Sequence, residues 1–184
     1  MSRRWAVFIS GRGSNLATFL DSQNEVEIGL VVSDRANAYG LKRAQRMGIQ
    51  TAVIDRDWDK THELLLAHNI QAIFLAGFMK IIPSHFLGLW RSRIFNIHPS
   101  LLPMYQGLKS IDRAVADKAD VGATVHKVIP QVDQGKICLQ KVAVKKDEIE
   151  KLSLEKIKFY VHTIEHRLVR KWVSHWQNSM TSSY

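Results

Sequence analysis

The sequence predicts an α/β fold: an open, mostly parallel sheet, then antiparallel strands and a long C-terminal helix. Three observations carry this expectation. Short apolar runs alternate with helically spaced segments through the first half, as in an open parallel sheet wound right-handedly. Those runs are continuously apolar rather than alternating, which suits strands covered on both faces. The second half then changes, with two neighbouring strand-like runs followed by one long apolar stripe at helical spacing.

The elements follow in order. "WAVFIS" (5–10), "VEIGLVVS" (26–33), "TAVI" (51–54), "AIFLAGF" (72–78) and "RIFNI" (93–97) read as buried strands. Between them, "SNLATFLDSQ", "NAYGLKRAQRMG", "DWDKTHELLLAHN" and "IPSHFLGLWR" carry helical spacing and stop signals, such as Gly48. "VGATVHKVI" (121–129) and "GKICLQKVAV" (135–144) form a hairpin or its near equivalent around "PQVDQ". Leu154, Ile157, Val161, Ile164, Leu168, Trp172 and Trp176 recur every three or four residues along the last helix. The polar residues 178–184 are expected to fray.

The chain's 184 residues fit one domain, 1–184, with no repeat, low-complexity block or linker to divide it. Its 46% apolar and 23% charged residues suit an ordinary globular core. No apolar run reaches the ~18 residues that span a bilayer. The apolar run in "MSRRWAVFISGRG" is short and meets a glycine-rich turn where a cleavage site would stand, so it reads as a first strand. One cysteine, Cys138, excludes an internal disulfide framework and fits a reducing cytoplasm. The net charge of +9 points either to an anionic partner or to a solubilising lysine surface.

"SGRGSNL" (10–16) follows the first strand and opens the first helix. Ligands gather at the carboxyl ends of strands in such sheets. Gly11 and Gly13 allow a tight turn, and Ser14 and Asn15 can cap the helix and leave amides outward for phosphate. A plain turn with an N-cap is the competing reading. The turn is no dinucleotide fingerprint, because Leu16 stands where the third glycine belongs, and no P-loop Lys follows.

"FNIHPSLLP" (95–103) is more specific. Two residues apart on a strand, Asn96 and His98 share a side, while Phe95 and Ile97 face the other. Pro99 and Pro103 stiffen the loop after the strand. An amide and an imidazole side by side can stabilise an oxyanion and move a proton. A buried, satisfied polar pair is the alternative. Asp133 matters if folding brings it to His98, where a carboxylate favours imidazolium. "HTIEH" (162–166) has the spacing of an inverted zinc motif but no evident third ligand, so it reads as a polar helix face; the alternative is that Glu165 and His162 reach a polar substrate from that face.

Taken together, "SGRGSNL", "LAGFMKI" (75–81), "FNIHPSLLP", "VGATVHKV" and "VDQGKICLQ" resemble, in this order, the folate-dependent formyltransferases. "SGRGSNL" and "EHRL" (165–168) narrow the resemblance to the phosphoribosylglycinamide (glycinamide ribonucleotide) branch. It covers residue 5 to about 175 and implies a Rossmann-like formyltransferase fold, with a nucleotide-binding half (1–95) and a catalytic and folate half (96–177). It implies transfer of formyl from 10-formyltetrahydrofolate to the amine of the ribonucleotide, in purine synthesis, without metal or ATP. It also implies small-molecule partners, no membrane, no nucleic acid, and a cytoplasmic monomer or homodimer.

By the same resemblance, Asn96, His98 and Asp133 form the catalytic centre, and Gly13, Ser14 and Asn15 hold the substrate phosphate. Glu165 and His162 contact the ribonucleotide. Met79, Lys80, Ile81 and Ile82, with Ile129, Pro130, Gln131 and Val132, border the folate. The chain departs from the family's usual pattern at Ile111, where a histidine is expected, at Lys109, and in a short 55–71 segment where Arg56 is the candidate folate arginine. Two alternatives stand beside this reading: formylation of another amine, on a nucleotide-linked amino sugar or methionyl-tRNA, or a non-catalytic relative that binds folate or nucleic acid.

Overall fold

A computed structural model describes residues 4–22 and 26–181, with the side chains of the last helix described through Ser174. The strands are β1 (Arg4–Ile9), β2 (Glu27–Ser33), β3 (Thr51–Val53), β4 (Ala72–Leu75), β5 (Ile94–His98), β6 (Val121–Lys127) and β7 (Ile137–Val144). The helices are α1 (Ser14–Leu20), α2 (Tyr39–Arg46), α3 (Trp58–Ala67), α4 (Ser84–Leu89), α5 (Ser110–Ala116), α6 (Lys146–Ile149) and α7 (Leu154–Thr181). One sheet runs in the order β3-β2-β1-β4-β5-β6-β7. Its first five members are parallel, and β6 and β7 each run antiparallel to the neighbour before. The predicted mostly parallel sheet with antiparallel C-terminal strands is therefore what forms.

The order reverses between β1 and β4. From β1 the chain winds outward through β2 and β3, then returns to place β4 on the other side of β1. The carboxyl ends of β1 and β4 then diverge into separate loops and leave a crevice, the usual ligand site of open α/β sheets. Two hydrogen bonds tie the loops together there: Ser10 N–H to Gly77 O at 3.1 Å and Met79 N–H to Ser10 Oγ at 2.8 Å.

Alternation along each strand sorts the core into two layers. Trp5, Val7, Ile9, Phe74, Phe95 and Ile97 pack under α1, α2 and the middle of α7. Ala6, Phe8, Leu30, Val32, Ile73 and Leu75 pack under α3 and α4. The predicted stripe on α7 divides its work. Ile164, Leu168 and Trp172 join the first layer, while Ile157 and Val161 join a smaller cluster with Ile111, Ala114, Val121 and Val144. Trp176 lies outside the described side chains.

Two short helices, α5 and α6, are absent from the sequence reading. Neither has a side-chain N-cap, and α5 follows Lys109 in the left-handed region (φ 53°), so the usual start signal is missing. The expected strand over 72–78 stops at Leu75, because the chain leaves the sheet at Ala76 and turns at Gly77 (φ 78°). The tail expected to fray from 178 begins inside α7, since each helical residue added extends the hydrogen-bond ladder; 182–184 lie outside the described residues.

Trp172 centres the first layer. Its ring lies 4.9 Å from Trp5, 5.0 Å from Phe74 and 4.8 Å from Phe95, centroid to centroid. Phe95 directly precedes Asn96, so this packing also fixes the strand that carries the predicted polar pair. Trp172→Ala should cost about 3–5 kcal/mol in urea denaturation, and Trp172→Phe clearly less; equal losses would show that ring area is not what matters.

Candidate active site

Asn96 and His98 lie on the side of β5 opposite Phe95 and Ile97, as alternation requires. Because β6 is antiparallel, it sets residues directly opposite them: His126 across from Asn96 and Thr124 across from His98. Asn96 Nδ2 stands 3.1 Å from His126 Nε2. His126 Nδ1 lies 2.8 Å from Lys127 O, so Nδ1 carries a proton and Nε2 is the nitrogen that faces the site.

Asp133 arrives from the loop between β6 and β7. Its carboxylate bridges the two imidazoles: Oδ2 to His98 Nδ1 and Oδ1 to His126 Nε2, each at 3.4 Å. The Gly107 N–H donates to Oδ2 at 2.8 Å. Only 10% of the Asp133 side chain is exposed. Burial pushes its pKa up, but the hydrogen bonds from His126 and the Gly107 amide and the charge of both imidazoles outweigh it, and the net shift is downward. Asp133 holds a left-handed backbone (φ 55°), a strained choice for a non-glycine residue that aims the carboxylate inward. The loop closes at Gly135, where a Cβ would stand 1.8 Å from Lys127 O.

His98 is 7% exposed. Its Nε2 lies 3.1 Å from Tyr105 O, so both ring nitrogens face oxygen acceptors, a carbonyl and a carboxylate. Prolines are not the whole restraint on the loop after β5. Thr124 Oγ1 donates to Ser100 O at 2.7 Å, Gln140 Nε2 donates to Leu102 O at 2.8 Å, and Ser110 Oγ donates to Pro99 O at 2.9 Å.

A second group forms where α1 meets α7. Gly13 has φ 69°, and a Cβ there would stand 2.9 Å from Gly40 Cα, so both its conformation and its contact require glycine. The expected capping by Ser14 and Asn15 does not occur. Gly13 itself is the N-cap, without a side-chain bond, and Ser14 is exposed. Asn15 instead turns to α7, where its Nδ2 donates to Glu165 Oε1 at 3.3 Å. Glu165 is 4% exposed, and its Oε2 accepts from His162 Nδ1 at 2.6 Å. Asn15 Oδ1 is buried without a partner. A buried acceptor left open in this way is common where a ligand supplies the donor.

The remaining expected residues separate. Met79, Ile81, Ile129 and Val132 are exposed at 61%, 78%, 38% and 50%, apolar side chains left at the surface. Pro130 and Gln131 are also exposed, and Lys80 is half-buried. Ile82 does not join them; it is buried in the layer under α3 and α4 and can offer a ligand only its backbone. Ile111, the departure from the expected histidine, is buried with Val121 and Ile157, where an apolar side chain is needed. Among the described residues, no group of three His, Cys, Asp or Glu side chains is arranged to hold a metal ion. His126 is a site residue that sequence reasoning misses. It sits inside "VGATVHKV", and only antiparallel pairing with β5 reveals its place.

The hydrogen bond to Glu165 raises the His162 pKa, against burial, and the carboxylate charge adds to the rise. A raised folded value makes the contribution complete below the ordinary value of about 6.5 and lost as pH rises through the folded value. The native protein should therefore lose more stability than His162→Gln as pH rises from about 6.5 through the raised folded value. Parallel pH dependence of the two urea midpoints would remove this contact from the stability of the site.

The sequence profile described as Formyl transferase matches residues 3–173. The chain is 37% identical to a phosphoribosylglycinamide formyltransferase of Haemophilus influenzae, over 92% of this chain and 86% of that protein. It is 38% identical to the trifunctional purine biosynthetic protein adenosine-3 of Homo sapiens over 88% of this chain, and it spans only 17% of that longer protein. A crystal structure of phosphoribosylglycinamide formyltransferase from Anaplasma phagocytophilum superposes with a TM-score of 0.91 at 34% identity, covering 97% of this chain and 88% of that one. The glycinamide ribonucleotide transformylase 1 of Symbiobacterium toebii superposes at 0.87 with 32% identity, covering 97% and 89%. With the fold, the profile and these relatives in agreement, the chain belongs to the formyl transferase family.

Proposed function

We propose that this protein transfers a formyl group from 10-formyltetrahydrofolate to the amine of glycinamide ribonucleotide in purine biosynthesis. The proposal includes a cytoplasmic setting, small-molecule partners, and action as a monomer or homodimer. The observation that carries it is the Asp133 carboxylate held between His98 and His126, beside Asn96, at the carboxyl end of β5. No helix among the described residues is long and apolar enough to cross a membrane.

The folate formyl donor would lie along Met79, Ile81, Ile129 and Val132, whose exposed apolar surface suits an aromatic ring system. The ribonucleotide would lie across the crevice, with its phosphate at Gly13–Asn15 and its ribose near Glu165 and His162. The neutral amine attacks the formyl carbon and negative charge grows on the carbonyl oxygen; collapse of that intermediate breaks the bond from formyl carbon to N10 of the folate, which leaves with a proton while the amine gives one up. Asn96 offers an Nδ2–H while its amide is steadied by His126. The 3.4 Å contact of His98 Nδ1 with Asp133 is long for a hydrogen bond, so an imidazolium Nδ1–H is only weakly engaged by the carboxylate and can be shared with the oxyanion. His126 Nε2 has two partners suited to its two states: neutral, it accepts from Asn96; charged, it donates to Asp133. The group can thus gain and lose a proton without leaving a buried charge unpaired.

Absorbance change on folate product formation, with glycinamide ribonucleotide and then with alternative amines, tests the reaction. Asn96→Ala and Asp133→Ala should each lower kcat by ~10²–10³-fold with little change in ribonucleotide affinity. Near-native turnover in both purified variants would end the proposed mechanism. The kcat/KM profile should be bell-shaped, because one imidazole must be protonated while the amine is not; a flat profile across neutrality would contradict that requirement.

A further inference from the structure

The glycine-rich turn is held from outside by α2. Gly40 N–H donates to Gly11 O at 3.1 Å, and Arg43 Nε donates to Arg12 O at 3.1 Å. Two successive carbonyls of the turn are thus tied to one helix, which leaves the next amides along the turn free of these contacts. The approach is close: a Cβ on Gly40 would stand 2.3 Å from Ile9 Cδ1 and 3.3 Å from Gly13 Cα.

Arg43 is held in turn. Its guanidinium lies 4.9 Å over the ring of Tyr39, one helical turn earlier, and Arg46 lies 5.9 Å from the same ring. Arg46 Nη1 donates to the Tyr39 hydroxyl at 3.4 Å. Among the described residues, the Nη groups of Arg43 make no hydrogen bond, and no carboxylate lies within ion-pair distance of Arg43 or Arg46. Two guanidinium groups therefore share one ring beside the turn with no anion between them. The next helix, α1, has no side-chain cap, so its first amides are open to an anion but carry only partial charge.

We infer that Arg43 is a positioning residue for the phosphate of the ribonucleotide. Its Nε–H fixes the turn through the Arg12 carbonyl, and its open Nη face adds a ring-held cation to the one the turn already carries in the exposed Arg12. A planar, always-charged fork held by a ring suits a phosphate monoester. The inference rests on the proposed ribonucleotide substrate and deepens it.

The test uses full-length protein, with ribose 5-phosphate as a binding probe by calorimetry alongside steady-state kinetics. Lys42→Gln, an exposed neighbour on α2, controls for net charge alone. Arg43→Gln should raise the Kd for ribose 5-phosphate and the KM for the ribonucleotide by roughly 10- to 100-fold. Its kcat and melting temperature should stay near those of the native protein, and Arg43→Lys should recover part of the affinity. Lys42→Gln should change little. Equal weakening by Arg43→Gln and Lys42→Gln, or an unchanged Kd in Arg43→Gln, would overturn the inference. Arg43-dependent binding of ribose 5-phosphate by a protein that forms no formylated product would uphold the inference while removing the proposed reaction.

Discussion

A carboxylate taken from water is costly unless charge and hydrogen bonds meet it on every side. Asp133 is in that position, and three structural elements converge to satisfy it. β5 brings His98, β6 brings His126, and the loop before α5 brings the Gly107 amide. Each contact constrains a different segment, so this buried charge sets the mutual position of the strand pair and both loops. These partners also hold Asp133 in its left-handed backbone, a conformation that Asp adopts more readily than most residues.

The polar group needs a rigid support, and the apolar layers provide it. Phe95 and Ile97 alternate with Asn96 and His98, so the packing of one face of β5 determines where the other face points. Trp172, Trp5 and Phe74 enclose Phe95 from the far side. The same α7 that contributes Trp172 also presents Glu165 and His162, so one helix ties the packing of β5 to the pocket at Asn15. The two polar groups are joined through the sheet and this helix, by way of the crevice where β1 and β4 part.

The turn in the switch region illustrates a different economy. Its glycines serve contact as much as conformation, since Gly13 and Gly40 let two backbones approach where side chains would collide. Close approach lets α2 grip the turn through Gly40 and Arg43. In this chain the helix beyond the turn is short, and the neighbouring helix α2 sets a guanidinium beside the turn in addition to the turn's own Arg12.

Much of this is legible in the residues alone. Continuous apolar runs separated by helical spacing identify buried parallel strands, because only a strand covered on both faces loses its alternation. The period of two places Asn96 and His98 on one side, and the order of the motifs carries the family resemblance by itself. Other features depend on chain segments distant in sequence. Asp133 meets His98 only because β6 reverses direction and the loop after it folds back at Gly135. His126 becomes part of the site through its register against Asn96, and register is a property of two strands together. Ser14 and Asn15 look like caps locally, yet Asn15 finds Glu165, 150 residues away, a better partner than its own helix. Local periodicity and turn chemistry are written in neighbouring residues and can be read there; the partners of a buried polar group are decided only when the whole chain closes around it.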